Sequence, residues 1–206
     1  MTVAVLILNW AEDEEALIET HRCRRIRKLC SSDRSETVVT PEMEAAFMAV
    51  APAPARRAMT VLLETGLRIG DACRLSRSHV QPTPAGRRLS IRTAKRKRIA
   101  TIPATAPLAR VLDETPDGRL LILVIERGRP FTQQRMSRYL TWSMRKAGRP
   151  DHGKPMDMRG AAAKRLLMAG SKLSQIAAHM SWSLRYADAA PEMADEILVT
   201  LEMARR

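Results

Sequence analysis

The side chains in this sequence that could do chemistry are mostly arginines and lysines placed at the ends of regular elements. "LLETGLRIGDACRLSRSHV" puts Arg68 just past a helix end and ahead of a short amphipathic turn. "TAKRKRIATIP" gathers basic residues at a hairpin turn, and "PMDMRGAAAKRLLMAGSKLSQIAAHMSWS" carries Arg159 near a helix N-terminus and Trp182 after a second helix. Guanidinium groups offer forked, permanently charged donors, and an indole N–H a single neutral one. Taken singly, each residue also has an ordinary reading as an ion-pair partner, a solvated turn residue or part of the core. The sequence holds no Gly-rich loop closing on a lysine and no Gly-x-Ser-x-Gly, and its His and carboxylates are not clustered to hold a metal. His152 and His179 are isolated, which fits surface or packing roles.

The elements that must position these groups are legible in outline. Residues 2–18 form one helix by periodicity, too short to stand alone. The polar segment from His21 to Val39, with "SSDRSET" at its centre, reads as a linker, and divides the chain into residues 1–35 and 36–206. Thr40-Pro41-Glu42 has the order of an N-cap, a first-turn proline and an acid, opening a helix to about Val50. "PARRAMTVLLETG" is a second helix capped by Gly66. From His79 to Pro103 the pattern alternates, predicting two or three short antiparallel strands. Helices are predicted again at about 106–113, 132–147, 157–169, 172–180 and 192–205, with "LLILVIERGRPF" buried and extended between them. The fold class is therefore mainly α with a small antiparallel β-sheet, an α+β arrangement.

Charge names the partner. Thirty-five Lys and Arg against 22 Asp and Glu leave a net charge of +13, which favours a polyanion. Seven cations crowd into "RRLSIRTAKRKR", where Arg87, Arg88, Arg92, Arg96, Lys97 and Arg98 are candidate DNA contacts beside Lys95, and five more lie in "HRCRRIRKL". Aromatic residues make up only 3% of the chain, too few for the stacking platforms of single-strand binders, so duplex DNA held by its backbone fits better. Three cysteines without metal-ligand spacing read as free thiols of a reducing cytoplasm. The opening "MTVAVLIL" is too brief for a membrane span and lacks the marks of a signal peptide. No metal, small-molecule cofactor or membrane partner is expected.

Read together and in order, these segments resemble the catalytic domain of the tyrosine recombinases, the phage integrase family. "TGLRIGDACRL" is similar to the family's first box, "TGLRxxEL", with Arg68 as its arginine and Asp71 in the place of its acid. Counting back from Ile102-Pro103, Lys95 falls on the hairpin lysine; "MDMRGAAAKRLLMAG" resembles "HxLRxxxAxxLxxxG", with Arg159 as the second arginine; and "MSWS" stands where the family has "LGHS" or "MGWS", at Trp182. The resemblance runs from Thr40 to the C-terminus, about four-fifths of the chain, and the opening helix and linker resemble the tail of the family's core-binding domain. It implies an integrase-like catalytic fold and a protein of site-specific DNA recombination or integration, with duplex DNA and other recombinase protomers as partners. It also implies strand breakage through a 3′-phosphotyrosine, formed without metal. Arg68 and Arg159 would then meet the charge on the phosphoryl oxygens, Trp182 would add a donor, and Lys95 would protonate the departing 5′ oxygen.

Two departures bear on that activity. The histidine of "HxLR" is Met156 here, which exchanges no proton. The family's nucleophile stands about nine residues past the His/Trp position, where this chain has Pro191, and no tyrosine follows Tyr186. Along a helix, five residues correspond to roughly 7–8 Å, whereas attack needs atoms within about 3–3.5 Å. Tyr186 is the candidate substitute nucleophile, and its alternative role is packing. Two expectations stay open: a degenerate recombinase that keeps its phosphate site, or a non-catalytic DNA-binding or regulatory module derived from one.

Overall fold

The computed structural model describes residues 3–14, 17–21, 39–84, 86–95, 97–149, 154–181 and 203. The chain divides into two compact units, Met1–Asp33 and Arg34–Arg206. In the first, helix α1 covers Val3–Asp13, shorter than periodicity suggests. Asp13 and Glu14 bring negative charge to the carbonyl end, and no basic residue in the last turn offsets it. His21 folds back on this helix, donating its backbone N–H to Glu12 and sharing a 2.7 Å hydrogen bond between its ring and Asn9.

The second unit is helical around one three-stranded sheet. Helix α2, Pro41–Val50, begins as its sequence dictates: the Thr40 hydroxyl accepts the Met43 N–H, and Pro41 occupies a position where no N–H is needed. Helix α3, Ala53–Thr65, is the central rod, with Ala55, Ala58, Met59, Val61, Leu62 and Leu63 all buried. It packs on helices α5 (Ala106–Asp113), α6 (Gln133–Lys146) and α7 (Pro155–Met168). Burying the larger of these, Met59, Val61, Leu62 and Leu63, contributes about 1.5–3 kcal/mol each. Gly66 ends α3 at φ +58, as a left-handed cap. The short helix α4, Ile69–Cys73, follows at once.

Strands β1 (Val80–Thr83), β2 (Gly86–Arg92) and β3 (Ile99–Pro103) pair antiparallel in the order β1-β2-β3. Leu89 pairs with Ile102 and Ile91 with Ala100, and these four residues form the sheet's buried face. The apolar run after α5 is extended as expected: bridges join Ser76 to Leu121 and Val124 to Pro130, while Ile122, Leu123 and Ile125 enter the core. Helix α8, Leu173–His179, follows α7. The helix expected at 192–205 lies outside the described residues apart from position 203. Among the described residues, no helix is long and apolar enough to cross a membrane.

Candidate functional site

Three of the predicted residues line one groove. Arg68, Lys95 and Arg159 meet around a space of about 590 Å³, together with Gln133, Ser137 and Met156. Each reaches it by a different local device. The Gly66 cap turns the chain sharply at the end of α3, so Arg68 is extended at the entry to α4. One of its terminal nitrogens, Nη1, is buried and has no hydrogen-bond partner among the described residues. A buried donor left in that state costs about 1–3 kcal/mol, so the fold holds a charge ready for an external acceptor.

Lys95 is exposed in the turn between β2 and β3. That turn is closed by Thr93 N–H to the Arg98 carbonyl at 2.8 Å and by Lys97 N–H to the Thr93 carbonyl at 3.0 Å. Asp71, 2% exposed on α4, accepts the Ala94 N–H at 2.8 Å and a guanidinium N–H of Arg74 at 2.5 Å. The carboxylate three residues after Arg68 thus holds the turn that carries Lys95, and the two cations are positioned by one element.

Arg159 is buried and already occupied. Its Nη1 donates to the Gly66 carbonyl, and its Nη2 donates to the Met180 carbonyl at 2.5 Å. Gly66 is needed here for two reasons: its φ is left-handed, and a Cβ would collide with the Met180 thioether. Arg159 therefore ties the end of α3 to the end of α8, two residues before Trp182. Trp182 and Tyr186 lie outside the described residues. Met156 is 69% exposed on the groove, at the position where the resemblance has an imidazole.

His179, in the last turn of α8, is a packing residue, 1% exposed. Neither ring nitrogen completes a hydrogen bond, although the Glu64 and Thr65 carbonyls offset part of the cost. Burial first, and the charge of Arg159 in addition, push its imidazole down to about 4. An unfolded chain takes up that proton near pH 6.5, so between pH 6.5 and about 4 the unfolded state binds more protons and stability falls as pH falls. The loss attributable to this group is on the order of 3 kcal/mol across the window. Urea midpoints measured from pH 7 to 4.5 should decline, and a His179→Leu variant should show a shallower decline.

A larger cavity, about 930 Å³, lies among α2, α3, α5 and α7, and two of its four arginines serve the fold. Arg57 is bound to Glu114 at 2.9 Å, and Arg165 to Glu44 and Glu64. Among the described residues, no His, Cys, Asp and Glu gather as a metal site. Cys73 is buried and its thiol is pushed up to about 11 by desolvation, which leaves it unreactive.

The sequence profile of the phage integrase family matches residues 37–185, nearly three-quarters of the chain and all of the elements that build the groove. The chain belongs to the phage integrase family. Solved structures of similar fold include a phage lambda integrase tetramer bound to a Holliday junction, with 22% identity, 78% of this chain and 53% of that one covered, and a TM-score of 0.60. A lambda integrase dimer bound to a COC′ core site has 21% identity, 95% and 58% coverage and a TM-score of 0.65. The integrase of mycobacterium phage Brujita has 19% identity, 96% and 68% coverage and a TM-score of 0.63. At these identities the likeness concerns the fold, and the chain spans little more than half of the two lambda chains. No curated protein matches it.

Within this integrase-family fold the basic cluster divides. Strand alternation turns Arg87 to the same side as Leu89 and Ile91, where it pairs with Asp113 of α5 at 2.8 Å. Arg88 and Arg92 face the other way, Arg88 bonding Gln81 of β1 and Arg92 the Lys97 carbonyl. Lys97 and Arg98 are exposed at the hairpin, and Arg96 lies outside the described residues.

Sequence reasoning placed α6 but missed its cationic face. Arg135, Arg138, Trp142 and Arg145, with Arg149 just beyond, are exposed at spacings of three and four, and "QQRMSRYLTWSMRK" contains no acid. Lys146 rests 4.3 Å from the Trp142 ring. This cationic face adjoins Gln133, Gln134 and Ser137, which line the groove. The signal was present in the spacing, overshadowed by the denser run at Arg87–Arg98.

Proposed function

We propose that this integrase-family chain is a site-specific recombination protein that binds duplex DNA and seats one backbone phosphate between Arg68, Lys95 and Arg159. The reading rests on the convergence of those three cations, one with an unpaired buried donor, in a single groove. Arg68 meets a non-bridging oxygen, and Lys95, on its exposed turn, reaches the 5′ oxygen that would depart. In a productive cleavage the tyrosine hydroxyl gives up its proton to solvent as its oxygen bonds to phosphorus, the bond to the 5′ oxygen breaks, and that oxygen takes a proton from Lys95. The exposed arginines of α6 and the outer sheet residues Arg88 and Arg92 extend the backbone contact. Residues 1–35 belong to this proposal as a segment of a core-binding domain, and DNA as partner assigns it to the cytoplasm.

Met156 favours a second reading. It stands exposed on the groove where an imidazole would assist proton transfer. A chain with this departure is a non-catalytic DNA-binding or regulatory module, one that can pair with an intact recombinase. Trapping on a nicked suicide duplex separates the two. A covalent adduct that disappears in Tyr186→Phe establishes an active recombinase, and salt-dependent duplex binding with no adduct establishes the module. An adduct that forms only when an intact recombinase is added, and survives Tyr186→Phe, assigns the tyrosine to the other protomer.

A further inference from the structure

A second cationic depression shares the wall of the groove. It has a volume of about 400 Å³ and is lined by Arg74, Arg92, Thr93, Ala94 and Lys97; Ala94 belongs to both. Among the described residues, Asp71 is the sole carboxylate that contacts any of its three cations, and it pairs with Arg74 alone. Arg92 uses its Nε on the Lys97 carbonyl at 3.1 Å, so its terminal nitrogens remain for another acceptor. Lys97 adopts φ +56, a left-handed conformation that Gly or Asn would hold with less strain. A cation kept at a position of backbone strain points to use rather than to packing.

We infer that this notch binds a second phosphodiester of the same duplex, separate from the phosphate in the Arg68 groove. The inference rests on the proposal that the chain binds duplex DNA. Phosphate contacts carry no sequence information, but two on either side of one hairpin turn fix the register of the duplex against Lys95. The notch is also coupled to the groove. Asp71 holds both Arg74 and the Ala94 N–H. A phosphate that draws Arg74 toward itself leaves Asp71 bonded to the hairpin alone, so occupancy of the notch bears directly on the turn that carries Lys95.

The test is the salt dependence of binding to a short mixed-sequence duplex, measured with the full chain. Each neutralised phosphate contributes roughly 0.9 to the slope of log K against log salt. Lys97→Asn removes the charge at a position whose backbone suits asparagine, and should lower the slope by up to about that amount. The double variant Lys97→Asn, Arg74→Gln should lower it by about one phosphate rather than two, because both side chains serve one ligand. Arg110→Gln, an exposed cation of the larger cavity, should leave the slope unchanged. The notch is not a phosphate site if the double variant binds duplex with the wild-type slope, or if Arg110→Gln costs as much as Lys97→Asn. A wild-type chain without salt-dependent duplex affinity removes the DNA reading itself, and the notch with it.

Discussion

Replacing Arg68 with methionine should leave the folded chain as stable as the wild type, or up to about 1 kcal/mol more stable, while weakening duplex binding roughly ten- to a hundred-fold. The stability part follows from the unpartnered Nη1 of Arg68, a buried donor whose desolvation nothing in the described protein repays. Methionine keeps much of the aliphatic volume and removes that cost. The binding part follows from the loss of a charge-assisted contact to phosphate, worth about 1.5–3 kcal/mol. Thermal melting and duplex titration at one fixed salt concentration test both. A variant that melts lower yet binds DNA as before would make Arg68 a structural residue and remove the groove's best claim to function. The expected trade, stability held back for the sake of binding, is common at functional sites.

Arg159→Met should lower stability instead. Its guanidinium serves the Gly66 and Met180 carbonyls, which lie 93 and 21 residues away along the chain. Methionine leaves both acceptors without that donor, at about 1–3 kcal/mol each, so the loss should total roughly 2–5 kcal/mol. For a chain of this length that lowers the melting temperature by on the order of 5–15 °C. Arg159→Lys should recover part of the loss, since an ammonium can reach one carbonyl but does not reproduce the fork. A melting temperature equal to the wild type in Arg159→Met would show that the tie between α3 and α8 contributes little. Although the sequence reading gave Arg68 and Arg159 the same task, the structure gives them opposite energetic situations.

That contrast marks the limit of what the sequence displays. The caps at Thr40 and Gly66, the hairpin with Lys95 at its turn and the alternation of β2 were legible because each depends on neighbours a few residues away. The end of α1 at Asp13 was legible in principle, since the acids that stop it are adjacent, but apolar periodicity outweighed them. The cationic face of α6 was equally local, and was missed because attention went to density of charge rather than to spacing on a helix. The division of the basic cluster was not legible. Alternation separates Arg87 from Arg88, but the presence of Asp113 against one face depends on where α5 packs.

By itself the sequence determined the elements, their caps, the sign of the partner's charge and the ordered boxes that place the chain among the integrases, because propensity, capping and composition act over short distances. Only the tertiary structure decided that Arg68, Lys95 and Arg159 share a groove, that Arg159 is tied to two carbonyls while Arg68 keeps a buried donor with no partner among the described residues, and that Asp71 joins the groove to a second cationic notch. Those facts depend on contacts between residues up to 93 positions apart. Whether a polar group finds a partner inside the protein is settled only when the packing of all the elements is complete.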